Sequence, residues 1–459
     1  MTGPNRGRNT PRLVKVQNLT QGPVGPQLVM FAAPLFLGSL IQLLYGTVDL
    51  MFVSHILGKD ASAAVGASSL IVTCILGFFT GLGVGIGVVA AKAVGMGAYK
   101  SLERIIHSAA GLTVLMAAVF TALGLGLAPL FLTWMDTPPE IMDSAVAYIR
   151  LYLLSLIAIA GYNIGSGILR ALGDSKRPMF YQLAGGFANI VGNTLFIYVL
   201  NWGVRGAALS TACSQGLAAF LTVRRLGRLE HGCRLSLGHM RLEWDICRQF
   251  LAVGIPAAIQ AVVITFSNII VQTSINHLGV DSMAAFTAYF KVENFIYLPI
   301  VAMGQAASTF TSQNTGAEQP ERIKAGVRAA VSITLVITVC TSALTVIFSE
   351  AAFSLFANEP EVIRLGCQIA HIAFPFYFLY VFLEMLASVI RGAGKALPVM
   401  VIIVSNMCVV RIGILRLMAV LCPGTRGVAA VYPLTWACTV LCLLAYYKWG
   451  QWLSCDADH

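Results

Sequence analysis

The sequence predicts an all-α integral membrane protein with twelve transmembrane helices in two six-helix lobes. Of its 459 residues, 57% are hydrophobic and only 11% are charged, and the mean hydropathy is +0.79. Soluble domains carry about 25% charged residues. Apolar runs long enough to cross about 30 Å of hydrocarbon recur along the chain, and the second half repeats the first. These observations exclude a cytosolic enzyme, a nucleic-acid-binding module and a disordered scaffold.

The spans follow one another with short breaks that carry charges or turn residues, such as 58–60, 137–140 and 173–178. Each run is apolar over most of its length. The predicted spans are 30–54, 62–91, 105–131, 146–168, 179–200, 206–223, 249–276, 283–308, 327–349, 365–388, 397–420 and 427–447.

Basic residues predict the orientation, because cytoplasmic segments carry an excess of Lys and Arg. With the N-terminus inside, 22 of the 30 Lys and Arg residues fall in inner segments. We therefore expect a multi-pass plasma-membrane protein with both termini cytoplasmic. The predicted divisions are a basic tail at 1–27 with Arg6, Arg8, Arg12 and Lys15, an N-lobe at 28–224, a linker at 225–248, a C-lobe at 249–448 and a tail at 449–459.

The two halves resemble each other at an offset near 221 residues, which indicates a duplication. Each half has six spans, an even number, so both enter the bilayer in the same orientation. Their pseudo-two-fold axis should then run along the membrane normal, with a cavity between the lobes. This arrangement favours a transporter over a channel. The matching positions are Pro34 with Pro256, 58–60 with 279–281, Pro139 with Pro360, 169–173 with 390–394, and 204–206 with 425–427.

Only three acidic residues lie well inside spans: Asp49, Glu293 and Glu384. A charge at the bilayer centre is costly, so such an acid is a functional hypothesis by default. Gln42, Tyr45 and Asp49 fall on one helical face at i, i+3 and i+7. A carboxyl away from bulk water can take up and release a proton near neutral pH. The alternative is an acid that joins helices through hydrogen bonds.

Amides and hydroxyls one helical turn apart occur in spans 5 and 6. Asn189 and Asn193 form one such pair, and Thr211 and Gln215 form the other. These groups can line a wet cavity or coordinate a small cation. They can equally bridge helices across a dry interface.

Secondary candidates in the C-lobe are Gln260, Glu293, Glu384 and Arg411, with Glu384 and Arg411 expected to pair between helices. The eleven cysteines form no CxxC pair, and most of them lie in apolar runs, where Cys behaves as a small hydrophobe. We therefore predict no disulfide framework and no firm metal site.

These residues resemble the multidrug and toxic compound extrusion (MATE) family, in its DinF-like branch. The resemblance runs from about residue 28 to 447. The segments that carry it are Pro34-Leu-Phe-Leu-Gly, Gln42-Leu-Leu-Tyr-Gly-Thr-Val-Asp49, Tyr162-Asn163, Ile168-Leu-Arg-Ala-Leu-Gly-Asp174, Asn189-Ile-Val-Gly-Asn193, Gly304-Gln305 and Ser312-Gln-Asn-Thr-Gly316.

The resemblance implies efflux of small organic, often cationic, compounds by a monomer of the bacterial inner membrane, with no nucleic-acid partner. It implies H⁺ or Na⁺ as coupling ion and no other cofactor. The cation site falls on Asp49, Asn189 and Thr211, and we add Asn193 to it as a candidate. The N-lobe substrate cavity falls on Gln42, Tyr45, Asn163 and Gln215.

The sequence departs from the family at Asn193, where some relatives carry a second acid. One carboxylate instead of two favours H⁺ over Na⁺, although Na⁺ stays possible at Asp49. A flippase for lipid-linked oligosaccharide or peptidoglycan precursor is the alternative. We expect the cavity beside Asp49 to lack the buried Lys or Arg that a pyrophosphate would require.

Overall fold

The computed structural model describes residues 18–229, 234–236, 238 and 241–453. Within these ranges the chain folds into helices, and no strand occurs among them. Three parts of the prediction therefore lie outside the described residues: the basic positions Arg6, Arg8, Arg12 and Lys15, some positions of the linker, and residues 454–459.

Each half of the chain contributes six spans in sequence order. The first half has span 1 (Val24–Ile56), span 2 (Gly58–Gly95), span 3 (Tyr99–Trp134), span 4 (Pro139–Leu154 and Leu156–Ala171), span 5 (Lys176–Asn193, continued by a π-helical turn at Thr194–Val199) and span 6 (Gly203–Leu226). The second half has span 7 (Trp244–Asn276), span 8 (Val280–Gly316), span 9 (Pro320–Ile347, then a short helix Ser349–Ser354), span 10 (Pro360–Ala373, a 3₁₀ turn Phe374–Phe376 and Tyr377–Gly392), span 11 (Ala396–Val404, a π-helical turn Ser405–Val410 and Arg411–Leu421) and span 12 (Thr425–Trp449).

The predicted spans all fall on these helices, which are longer than predicted. Span 8 has 37 residues, so it is about 55 Å long and extends beyond about 30 Å of hydrocarbon. In the described part of the chain, nine helices are long and apolar enough to cross a membrane, or ten if span 4, bent by 46°, counts as one. Spans 5 and 8 complete the twelve and are more polar.

Glycines at equivalent turns of the two halves confirm the duplication. Gly58 begins span 2 and Gly279 directly precedes span 8, with φ of 83° and 97°. This left-handed region is open to glycine at little cost, whereas other residues are strained there. The chain can therefore reverse direction at the same place in both halves. Two further pairs at the same spacing of 221 positions also have positive φ: Gly173 with Gly394, and Gly203 with Gly424.

The lobes close against each other at the end of the bundle where spans 1 and 7 begin, which we call the N-face. Spans 2 and 7 pack along each other there. A Cβ added to Gly85 would lie 2.4 Å from the carbonyl oxygen of Phe250, and one added to Gly81 would lie 2.4 Å from the backbone nitrogen of Ala258. Only glycine allows these two backbones to approach so closely. The close contact between spans 2 and 7 therefore depends on Gly81 and Gly85.

The first helix of each half begins in the opposite lobe. Leu28 and Phe31 of span 1 are buried in the hydrophobic core of the C-lobe. Cys247 and Phe250 of span 7 are buried in the core of the N-lobe. The two exchanges are related by the pseudo-symmetry of the halves, and they join the lobes at the N-face.

A hydrogen-bonded cluster seals the N-face beside these helices. Gln313 of span 8 accepts a hydrogen bond from the backbone N–H of Leu19 at 2.9 Å and donates one to the carbonyl of Ala171, in span 4, at 2.8 Å. Arg322 of span 9 donates to the carbonyls of Leu19 and Gly22. Leu19 is fully buried, so the cluster fixes the segment before span 1 on the C-lobe.

Replacing Arg322 should therefore destabilise the protein. Arg322→Ala removes the hydrogen bonds from the guanidinium to Leu19, Gly22 and Gln27, and we expect the free energy of unfolding to fall by about 2 kcal/mol. Thermal melting in detergent measures this as a lower Tm. Arg328→Ala, at an exposed position two turns along the same helix, is the control and should leave Tm unchanged. Equal Tm values for the two variants would contradict the prediction.

Candidate functional site

The Asp49 cluster joins spans 1 and 5. Asn193 donates a hydrogen bond from Nδ2 to Oδ1 of Asp49 at 2.7 Å, and the same nitrogen lies 3.2 Å from Oδ1 of Asn189. Both asparagines are buried. Oδ1 of Asn193 is buried and accepts no hydrogen bond from the described residues. The carboxylate of Asp49 therefore lies in a largely amide-lined site. The amide oxygen of Asn193 beside it is available to accept a hydrogen bond or to bind a cation.

Span 6 fixes the position of span 5 in this cluster. Ser210 donates a hydrogen bond to the backbone carbonyl of Asn189 at 2.7 Å. A Cβ added to Gly192 would lie 2.6 Å from the hydroxyl oxygen of Ser210, so glycine is needed for the two helices to approach. Contacts between Ser210 and the backbone of span 5 thus fix the position of the amides that face Asp49.

Tyr45 extends the polar cluster by one turn of span 1. Its hydroxyl accepts hydrogen bonds from Nε2 of Gln182 at 3.2 Å and from Nε2 of Gln215 at 3.4 Å. Tyr45 and Gln215 were predicted from the sequence, whereas Gln182 was not. Gln182 precedes Asn189 by seven residues and so lies on the same face of span 5, a spacing that could have identified it.

Three other N-lobe candidates do not join these hydrogen bonds. In the described chain, the side chain of Thr211 forms no hydrogen bond with Asp49, although Thr211 directly follows Ser210. Asn163 donates to the carbonyl of Ile159 in its own helix at 2.9 Å. Gln42 is exposed. Their roles stay predictions.

A second polar site lies within the C-lobe, in a cavity of about 400 Å³ that we call the C-lobe pocket. Glu293 accepts hydrogen bonds from the hydroxyls of Tyr377 at 3.1 Å and Tyr289 at 3.3 Å. Nη1 of Arg411 donates to Oδ1 of Asn268 at 2.9 Å. The pocket is lined by Ile264, Asn268, Gln272, Ile275, Phe290, Glu293, Asn294, Tyr297, Tyr377, Tyr380, Leu383, Ile403, Met407, Arg411, Tyr432 and Trp436.

The expected pair between Glu384 and Arg411 is wrong. Glu384 forms an ion pair with Arg391 at 3.3 Å and accepts a hydrogen bond from Ser388 at 2.9 Å. The reason is local, since Arg391 lies about two turns along the same helix and its long side chain reaches back. Glu384 and Gln260 do not line the C-lobe pocket. Of the four C-lobe candidates, the structure brings only Glu293 and Arg411 to one cavity.

The architecture defines a class of protein. Two pseudo-symmetric six-helix lobes close against each other at one face, and each lobe holds polar groups inside its spans. Binding sites at the interface of internal repeats are typical of secondary transporters. The fold is therefore that of a transporter built from two internal repeats.

The family follows from comparison with known proteins. The MatE family model matches the chain twice, at residues 34–195 and again at 256–415. The chain belongs to the MATE family of multidrug efflux transporters, as the sequence motifs predicted. The two matches coincide with the two halves of the duplication.

Relatives cover nearly the whole chain. The probable multidrug resistance protein YpnP of Bacillus subtilis is 30% identical over 441 residues, which are 96% of this chain and 98% of YpnP. The probable multidrug resistance protein NorM of Thermotoga maritima is 24% identical over 82% of each chain. A FAD transporter of Shewanella oneidensis is 24% identical over 75% of this chain and 77% of its own.

Solved structures share the fold at lower identity. A MATE transporter in its straight conformation matches with a TM-score of 0.88 at 23% identity, covering 96% of this chain and 98% of its own. A MATE family transporter in an outward-facing conformation matches with a TM-score of 0.89 at 22% identity and the same coverage. These likenesses establish the two-lobed all-α fold.

Proposed function

We propose that this protein is an antiporter that exports small organic, often cationic, compounds in exchange for a cation, with H⁺ favoured over Na⁺. The observation that carries the proposal is the Asp49 cluster, in which a single carboxylate lies against two buried amides. Proton binding neutralises Asp49 and removes its attraction for a cationic compound, which then leaves. The named relatives support multidrug compounds as substrates.

The closed N-face supports alternating access as the transport cycle. In the proposed orientation the N-face is cytoplasmic, so this structure is sealed on the inside. A rocking motion would separate spans 2 and 7 at Gly81 and Gly85 and open the cavity inward. A bound ion or compound can drive this motion only through its different affinity for the two states.

The remaining parts of the proposal concern the setting. We place the protein in the bacterial inner membrane with both termini cytoplasmic, as a monomer of the DinF-like branch that needs no cofactor besides its coupling ion. The bacterial relatives and the inner excess of basic residues support this setting. The flippase alternative is not favoured, because the family match is to multidrug transporters.

Transport into proteoliposomes tests the proposal directly. A fluorescent cationic dye is followed while a pH gradient and a Na⁺ gradient are imposed separately, with protein-free vesicles as control. We expect the dye to move in the direction opposite to the flow of H⁺ down the imposed pH gradient. A Na⁺ gradient should have only a weak effect on dye movement. Dye movement driven by Na⁺ alone would reverse the ion assignment. Absence of dye movement under both gradients would contradict the proposed export of cationic compounds.

A second acid beside Asp49 should shift the ion preference. Asn193→Asp places a carboxylate where an amide now lies 2.7 Å from Asp49. Two adjacent carboxylates attract a cation more strongly than one, so we expect the response to a Na⁺ gradient to rise severalfold. Gln182→Glu, which adds an acid beside Tyr45 instead of Asp49, is the matched control. Unchanged Na⁺ dependence in Asn193→Asp would contradict the assignment of the cation site.

A further inference from the structure

Arg411 is a buried arginine without an acidic partner. Its exposed fraction is 4%, and it forms none of the ion pairs found among the described residues. Nη1 donates to Asn268, while Nε is buried and has no hydrogen-bond partner in the described chain. An arginine side chain is not deprotonated in proteins. A positive charge with an unused donor therefore lies inside the C-lobe.

The surroundings hold this guanidinium in place without a direct ion pair. Its Cζ atom lies 5.2 Å from the ring centre of Tyr432, and Asn268 orients one of its nitrogens. Glu293 is the other charged residue among those lining the C-lobe pocket. The carboxylate of Glu293 is bound by the hydroxyls of Tyr289 and Tyr377 and forms no ion pair with Arg411.

The rest of the C-lobe pocket suits a flat apolar body. Tyr380 and Trp436 both line it, with ring centres 5.6 Å apart, and Tyr297 lies 5.7 Å from Tyr380. The volume of about 400 Å³ is within the range of small-molecule sites, which combine apolar walls with a few oriented polar groups. Aromatic walls with one buried guanidinium are complementary to an aromatic organic acid.

We propose that the C-lobe pocket binds aromatic organic compounds that carry a carboxylate. The guanidinium of Arg411 holds the carboxylate, and the rings of Tyr297, Tyr380 and Trp436 stack on the aromatic body. This site is separate from the Asp49 cluster and has the opposite charge preference. It does not depend on cation coupling or on the export of cationic compounds.

The test compares an acid with its ester at equilibrium. Full-length protein in phosphatidylcholine nanodiscs is titrated with a diethylaminocoumarin carboxylate and with its ethyl ester, and binding is followed by fluorescence anisotropy. The two probes share the aromatic body and differ in the negative charge. We expect the wild type to bind the acid about tenfold more tightly, or by about 1.4 kcal/mol, because only the acid offers Arg411 a charged hydrogen-bond acceptor. Equal binding of acid and ester by the wild type would overturn the proposal.

Variants test whether Arg411 causes the preference for the acid over the ester. Arg411→Gln should remove the preference for the acid and leave the affinity for the ester unchanged, which also shows that the pocket is folded. Arg416→Gln, at an exposed position of the same helix, and Asp49→Asn should both keep it. Retention of the preference in Arg411→Gln would place the acid elsewhere and refute the assignment.

A last experiment tests whether Arg411 binds a soluble acid or the phosphate of a lipid headgroup. The titration is repeated in nanodiscs of phosphatidylglycerol. We expect the acid to keep its advantage over the ester. Loss of that advantage in phosphatidylglycerol alone would show that a lipid headgroup occupies Arg411, and the proposal would fail.

Discussion

Asp49→Asn is expected to reduce gradient-driven dye transport at least about tenfold, to the level of protein-free vesicles. The substitution keeps the size of the side chain and an oxygen that can accept the 2.7 Å hydrogen bond from Asn193. The fold of the N-lobe should therefore persist. The amide cannot take up a proton or carry a negative charge, so both the coupling ion and the cationic compound lose their common partner. This fall corresponds to about 1.4 kcal/mol or more.

The control for this variant is Asp60→Asn, an acid at an exposed position near the start of span 2. Asp60→Asn should transport dye at the rate of the wild type. Thermal melting of the purified variants checks that Asp49→Asn is folded. Wild-type transport by a folded Asp49→Asn protein would show that Asp49 only joins helices, the alternative that its hydrogen bonds leave open.

The second large effect is expected for Gly85→Val, which disrupts the contact between spans 2 and 7 that closes the N-face. Its Cβ would lie 2.4 Å from the carbonyl oxygen of Phe250 and 2.6 Å from the backbone nitrogen of Gly254. Both are backbone atoms, so the lobes themselves must move apart. Overpacking typically costs about 1–3 kcal/mol, enough to shift the conformational equilibrium by about fivefold to more than a hundredfold. We expect transport to be lost and the N-face to open.

A native thiol reports this opening. Cys247, near the start of span 7, is fully buried in the closed N-face, so labelling by a membrane-permeant maleimide should be faster in Gly85→Val. Mass spectrometry of the Cys247 peptide follows this site alone. Gly66→Val is the matched control, because a Cβ at Gly66 of the same helix meets no atom within 4 Å. Slow labelling and normal transport in Gly85→Val would show that the close approach is not required.

The twelve spans could be predicted because each is a continuous run of apolar residues in the sequence. The duplication was also visible in the sequence, because glycines such as Gly58 and Gly279 are needed at the same turn of each half. The exchange of the first helices between lobes was not predictable. Leu28 and Phe31 are apolar in an apolar run, and nothing in that pattern says which lobe covers them.

The candidate sites were predicted in part. Asp49, Asn189 and Asn193 were expected in one cation site, and the structure places them in hydrogen-bonding distance, while their role in coupling stays a prediction. Arg411 was expected to pair with Glu384, which instead pairs with Arg391. A π-helical turn at 405–410 directly precedes Arg411. One extra residue in a turn rotates everything after it by about 100°. Such turns are set by tertiary packing and are not visible in the hydropathy pattern.

The placement of the first helix also bears on how the protein is made. The hydrogen bond from Leu19 to Gln313 joins residues 294 positions apart. At about 5–20 residues per second, a ribosome needs on the order of 15–60 s to synthesise the intervening chain. The start of span 1 therefore waits for its partner helices during synthesis. The N-terminal half made alone would lack Gln313 and Arg322, whose hydrogen bonds hold the segment before span 1, so we expect this segment to settle only after the second half is made.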